Sequence, residues 1–391
     1  MIPLTKPLLD QVDYEALRAP LETGWLVQGP HVARFEESVA RLCGVRHAVA
    51  TTSCTTALHL SLVAAGIGPG DTVLVPSFTY VATANAVEHA GARPVFIDID
   101  PETFNLSAPA MAAYLSERRS TGRPMPRAAL VVHLFGLCAD MTPLLSLAKH
   151  YCLTVIEDAA CALGSSIRGV PAGAFGLAGC FSFHPRKLIT TGEGGMVVTS
   201  DEDLARRLRI LRDHGAEVSD LSRHTSTNGE MPDFESLGYN YRMTDIQGAL
   251  GCSQMAKLPR IMGERGRLAD GYRALLENIP WLRLPLSPQG FAHTYQSFVC
   301  RIRIPGKGVS ETGKVRNALM VHLGKAGISS RPGTHAVHLL GYYRRRYGRE
   351  QEHCPEALRA HHDSITLPLY VGMTHEEQER VAEAIGDFRP K

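Results

Sequence analysis

From about residue 45 to residue 200 the chain alternates short apolar runs with stretches whose apolar positions recur at helical spacing. The β-rich runs cover 48–51, 72–75, 94–97, 129–134, 154–156, 179–183 and 195–199. Helical spacing predicts helices over 55–65, 80–89, 108–114 and 142–149. Strands that are apolar throughout and separated by helices need cover on both faces. The expected fold class is therefore α/β, a mainly parallel sheet flanked by helices. In such sheets ligands bind at the carboxyl ends of the strands.

The flanks are less regular. Residues 1–30 read as an arm, rich in Pro and Gly, with one short helix near 14–21. Phe35, Val39 and Leu42 then share a helical face, and Gly44 follows as a C-cap. Helices are expected over 245–258 and 262–276, with a break near 255–262 marking a domain boundary; one long helix crossing that point is the alternative. Beyond it, a strand over 297–304, a helix over 314–326, a polar stretch over 344–353 and a last helix over 374–388 predict a smaller α+β domain. The division expected is 1–258 for the arm and large domain and 259–391 for the small one.

Composition narrows the field of functions. A length of 391 residues suits two or three domains, and 44% apolar with 20% charged residues reads as globular. A formal net charge of +2 gives no basic field for nucleic acid, and the Arg344–Arg346 run reads as a solvated face. The nine cysteines form no C-x-x-C pair, which reads as a reduced chain. Asp10, Asp13 and Glu15 leave no signal-peptide apolar region, and no apolar run approaches the roughly 18 residues of a membrane span. The expectation is a cytoplasmic protein with neither nucleic-acid nor membrane partners. His335 with His338, and the adjacent His361 and His362, lack a supporting carboxylate or cysteine cluster, so no metal is expected. Neither a dinucleotide fingerprint nor a Walker A motif is present.

Candidate chemistry collects at four expected strand ends. The run TVIEDAACALG ends a buried strand with Glu157 and Asp158, followed by small residues. A buried carboxylate is costly unless paired, and a protonated heterocycle nitrogen is one suitable partner; a helix N-cap is the alternative. The run FSFHPRKLITTGEGG presents Lys187 just after a buried strand that carries Ser182. A desolvated lysine loses its proton more readily and becomes a Schiff-base nucleophile. The run TTSCTTALHL puts hydroxyls and free N–H groups at a helix start, either an anion site suited to phosphate or a simple cap. PSFTYVATAN offers Phe78 and Tyr80, as rings to stack on a flat ligand or as core. Together the four supply what pyridoxal 5'-phosphate (PLP) needs: a lysine, a carboxylate, a phosphate cradle and an aromatic platform.

The ordered series Phe35–Glu37, PGD at Pro69–Asp71, PSFTYVATAN, EDAA, FSF with its lysine and TTGEGG, and LGYNYRMTDIQGALG at Leu237–Gly251 resembles the DegT/DnrJ/EryC1/StrS sugar aminotransferases, which have the aspartate-aminotransferase fold (fold type I). The resemblance covers the whole large domain and weakens after residue 300. It implies that Lys187 carries the cofactor and that Asp158 partners the pyridine nitrogen. It further implies that Tyr80 stacks on the ring, that Thr55 with Cys54 and Ser182 holds the phosphate, and that Asn240 reaches the phosphate of a neighbouring subunit. A homodimer with shared sites follows from that last role. The implied reaction moves an amino group from an amino acid, glutamate by resemblance, to a keto-sugar, nucleotide-linked by resemblance. Rival readings are a keto-cyclitol acceptor, a PLP-dependent sugar dehydratase, whose family branch carries histidine where this chain has Lys187, and a PLP-binding sensor without turnover. The chain departs from the family twice. Cys54 stands where glycine is usual and accepts positive φ less easily, and Cys161 stands near the cofactor where glutamine is usual.

Overall fold

The computed structural model describes residues 1–217, 233, 234, 236–348 and 353–390; positions 349–352 of the polar 344–353 stretch lie outside the described residues. The strands are, in chain order, β1 (His47–Thr51), β2 (Thr72–Pro76), β3 (Phe78–Thr79), β4 (Arg93–Ile97), β5 (Ala128–Val132), β6 (Thr154–Asp158), β7 (Ser166–Ile167), β8 (Val170–Pro171), β9 (Ala178–Ser182) and β10 (Gly195–Thr199). They continue with β11 (Leu282–Arg283), β12 (Phe291–Ala292), β13 (Phe298–Ile302), β14 (His335–Ala336) and β15 (Ser364–Leu367).

Seven strands form the main sheet in the order β1-β10-β9-β6-β5-β2-β4. All run parallel except β10, which is antiparallel to both neighbours. The alternation of side chains along a strand feeds two cores. In β5, Leu130 faces the core that holds Leu58, Val75 and Val197, while Val131 faces the one that holds Phe35, Leu74 and Phe181. The expected α/β architecture is what forms. Helices absent from the sequence reading also appear, at Glu202–Arg212 and Pro355–Asp363.

The expected break near 255–262 does not occur. One helix runs unbroken over Asp245–Leu276, through Pro259 and across the 258/259 division. Proline removes one intrahelical hydrogen bond, yet this helix is held along its length. Its first turns lie against the Pro30–Cys43 helix, where a Cβ on Gly248 would come within 2.5 Å of the Val32 nitrogen. Its last turns put Leu268, Tyr272 and Leu276 into a third core with Phe298, Leu319, Ile365 and Ile385. That core backs the antiparallel β11-β13-β15 sheet. The arm joins it too: Ile2 is buried there, its N–H donates to the Gly327 carbonyl (2.7 Å), and the Leu369 N–H donates to Leu4 (3.1 Å). No helix among the described residues is long and apolar enough to cross a membrane.

Asp13 ties the arm's helix to the long one. Its buried carboxylate accepts from Ser253 Oγ (2.7 Å), Gln254 Nε2 (3.0 Å) and Lys257 Nζ, and from its own N-cap N–H at Asp10 (2.9 Å). Burial opposes the charge, but these donors outweigh it and hold the carboxyl below its usual range. A depressed folded-state value stabilises above the unfolded pKa of about 4 and loses that effect as pH falls through the folded value. Asp13→Asn should therefore cost about 1.5–3 kcal/mol at neutral pH, and the difference should shrink with acidification. Denaturant unfolding of both proteins across the acid range checks this.

Candidate active site

The carboxyl ends of β3, β5, β6 and β9, with the turn after β1, open into one cleft of about 610 Å³, lined by Cys54, Thr55, Tyr80, Asp158, Cys161, Ser182 and Lys187 among others. Seven of the eight site residues expected from the sequence thus share one cavity.

At the end of β1, Ser53 caps the Cys54–Ala64 helix by accepting from the Thr56 N–H (3.2 Å). Its cap satisfies the third N–H of the turn. The N–H groups of Cys54 and Thr55, two residues that line the cleft, have no intrahelical acceptor. The capping reading of this run is what the structure shows, and the cap leaves room for an anion at the same turn. Cys54 is the first helical residue and is not among the residues with positive φ. The backbone strain expected of a cysteine there does not arise. Its thiol points to the Cys180 carbonyl (3.6 Å). Glycine is needed instead at Gly195, where a Cβ would lie 2.2 Å from the Ser53 carbonyl oxygen.

At the end of β6 the two carboxylates part company. Glu157 is fully buried and accepts from the N–H groups of Gly173, Phe175 and Gly176, each at 2.7 Å, and from His133 Nε2 at 2.8 Å. The His133 tautomer follows from its other nitrogen, which accepts from the Ala139 N–H (3.0 Å). Asp158 turns to the opposite face, into the cleft. Among the described residues it accepts only the Thr83 hydroxyl (2.7 Å) and the Ala160 N–H (3.2 Å). Burial pushes its carboxyl up, against the pull of Thr83, Ala160 and Lys187. Such a group gains from a cation placed against it.

Beyond β9, a tight turn closed by Lys187 N–H on the His184 carbonyl (2.8 Å) aims Lys187 into the cleft. Its Nζ donates to the Cys161 sulfur at 3.2 Å. Burial disfavours the ammonium, but the Cys161 sulfur, then Cys54 and Asp158, outweigh it and hold Lys187 above its usual range. Tyr80 stands exposed at the cleft lip after β3, with a face free for a flat ring. Asn240 is the exception. It is exposed, does not line this cleft, and forms a backbone bridge with Asp213. The carbonyl of its neighbour Tyr241 accepts from the Thr52 N–H (3.0 Å), in the turn after β1.

The sequence reading missed Gln296, Arg331, Thr334 and His335, which line the same cleft. They arrive by long-range pairing: β14 pairs with β3, and the Thr366 N–H donates to the Arg331 carbonyl (2.7 Å). Nothing local in RPGTHAVH marks it as cleft wall.

The residues fit PLP. A buried carboxylate short of donors suits a protonated ring nitrogen, an open helix start suits a phosphate, and Lys187 lies between. Fold and site define a PLP-dependent enzyme of fold type I. The chain belongs to the DegT/DnrJ/EryC1/StrS aminotransferase family, whose model matches residues 7–386, and is a PLP-dependent sugar aminotransferase. It is 37% identical over 386 residues to the GDP-perosamine synthase of Caulobacter vibrioides, covering 98% of this chain and 97% of that one. With the spore coat polysaccharide biosynthesis protein SpsC of Bacillus subtilis it shares 34% over 387 residues, 99% and 97% of the two chains. The crystal structure of the aminotransferase TlmJ from Streptoalloteichus hindustanus superposes with a TM-score of 0.87 at 30% identity, covering 98% of each chain.

Glu157 and Asp158 should separate on substitution. Glu157→Gln turns an amide N–H toward backbone donors and should cost on the order of 3 kcal/mol of stability. Asp158→Asn removes a charge that burial already disfavours, so the cofactor-free protein should melt no lower than wild type at neutral pH. Thermal unfolding of both variants without cofactor distinguishes the two carboxylates.

Proposed function

We propose that this enzyme transfers the amino group of an amino acid, glutamate in the first instance, to the carbonyl carbon of a nucleotide-linked keto-sugar. The observation that carries the reading is the placement of Lys187 and Asp158 in one cleft, beside the open start of the Cys54–Ala64 helix. The similarity to a protein named for making GDP-perosamine supports a nucleotide-linked acceptor.

In this reading Lys187 would anchor the cofactor and, once free as an amine, would take up and return a proton at Nζ. Asp158 holds the ring nitrogen protonated, which an opposite charge at hydrogen-bond range favours by about one to three pKa units. Bound in this way, the cofactor supplies an electron sink for the carbanion formed at the donor carbon. Tyr80 covers one face of the ring. The Cys54 and Thr55 N–H groups, with the Thr55 and Ser182 hydroxyls, take the phosphate. The Cys161 sulfur sets the position of Lys187. Asn240, exposed on its own subunit, serves the phosphate of the partner in a homodimer, and its neutral amide adds no charge beside Lys187.

Glutamate incubated with a panel of nucleotide-linked keto-sugars should yield 2-oxoglutarate and aminated sugar in equal amounts, by mass spectrometry; 2-oxoglutarate with none of the sugars would refute the acceptor class. Lys187→Ala should lose the cofactor's visible band and multiple turnover, a loss beyond the ~10²–10⁴-fold typical of proton transfer alone. Mixing Lys187→Ala with Asn240→Ala subunits should restore activity through the hybrid site that carries neither lesion. No rescue on mixing would show that each site is built from one chain.

A further inference from the structure

Outside the cleft, a second cavity of about 350 Å³ opens between β11, the end of β13 and the Pro355–Asp363 helix, and it shares no lining residue with the first. Its volume lies within the ~300–1,000 Å³ typical of small-molecule sites. Four cations line it, Arg283, Arg303, Lys307 and Arg359, against one carboxylate, Asp363.

Strand register explains the crowding. Arg283 on β11 stands opposite Arg301 on β13, and residues two apart on a strand share a face. Arg303 extends the pairing just past β13, its N–H donating to the Trp281 carbonyl (2.8 Å). Three arginines therefore meet on one face of a strand pair, where like charges set opposite each other are destabilising. The one carboxylate is already taken. Asp363 accepts from Arg301 Nε (3.0 Å) and Nη2 (2.7 Å), and Arg303 reaches it only at 4.0 Å. Arg359 turns to Glu356 on its own helix. Arg283 and Lys307 have no carboxylate partner among the described residues. A concave wall of one sign focuses its field and draws in a ligand of the other.

The start of the Val309–Lys325 helix is met by its own Glu311, which accepts from the Gly308 N–H (2.9 Å), so the attraction comes from the side-chain cations. Between them the wall is apolar, formed by Pro280, Ile304, Pro305 and Val309.

We propose that this pocket is a second binding site, for a ligand that bears a diphosphate. Two linked phosphates engage several cations at once, and guanidinium forks donate in pairs to phosphate oxygens. A single carboxylate would answer only one of Arg283, Arg303 and Lys307. Because the two cavities are separate, the assignment does not depend on the reaction in the cleft.

The test uses cofactor-loaded enzyme, whose own phosphate site is filled. Inorganic pyrophosphate and guanosine diphosphate are each titrated by calorimetry into wild type, into the double variant Arg283→Ala/Lys307→Ala, and into Arg331→Ala, which alters the cleft. The double variant should bind about tenfold more weakly or worse, equivalent to about 1.4 kcal/mol shared by two exposed charges. Arg331→Ala should leave this binding unchanged, and added salt should weaken it in wild type. The cofactor's visible band should keep its amplitude in the double variant, showing an intact fold. Tighter binding of guanosine diphosphate than of pyrophosphate sustains the site and assigns its apolar wall to a nucleoside; equal binding sustains it as a site for the phosphates alone. The assignment is overturned if wild type binds neither ligand at millimolar concentration, if the double variant binds as wild type does, or if Arg331→Ala removes all the binding there is.

Discussion

Two adjacent carboxylates at the tip of a fully covered strand are a severe electrostatic constraint, and the site is arranged around its solution. Successive side chains of a strand point to opposite faces. Glu157 and Asp158 therefore meet different surroundings although they are neighbours in the chain. On one face Glu157 collects three backbone N–H groups and the His133 imidazole, and is satisfied without any ligand. On the other, Asp158 has a hydroxyl and one N–H, and its carboxyl is pushed up by burial. The first carboxylate stabilises the fold, and the second leaves an unmet demand that a cationic ring nitrogen would meet.

The rest of the site follows from where the main sheet puts its strand ends. Because β10 runs against its neighbours, its first residue, Gly195, lies beside the Ser53 turn at the end of β1. The absence of a side chain there lets the helix start, whose Cys54 and Thr55 line the cleft, approach the sheet. The turn after β9 then delivers Lys187 to the same edge. Cysteine at position 161 changes the local chemistry without disturbing this layout, since a sulfur accepts from the lysine ammonium at 3.2 Å.

The unbroken Asp245–Leu276 helix has a different consequence. It packs against the large sheet's helices at one end and enters the third core at the other. Pieces far apart in the chain are tied to the same body: Ile2 and Leu4 join the C-terminal core, and the segment around Arg331 reaches the cleft through pairing of β14 with β3. The cleft wall that faces Lys187 is thus supplied by residues more than a hundred positions away.

By itself the sequence determined the α/β class, most of the strands of the main sheet, and seven of the residues that come to line one cleft. Each of these is a local matter: an apolar run ending in EDAA or FSF followed by a lysine carries its own signal, because strand period and turn chemistry are set by near neighbours. Only the tertiary structure decided which of Glu157 and Asp158 faces the cleft, because that depends on the donors each face meets. It alone decided that Pro259 would not break the long helix, because packing at both ends outweighs one lost hydrogen bond. It likewise decided that Arg331 would stand in the cleft, since a residue placed by contacts with β15 and β3 leaves no periodic trace in its own segment.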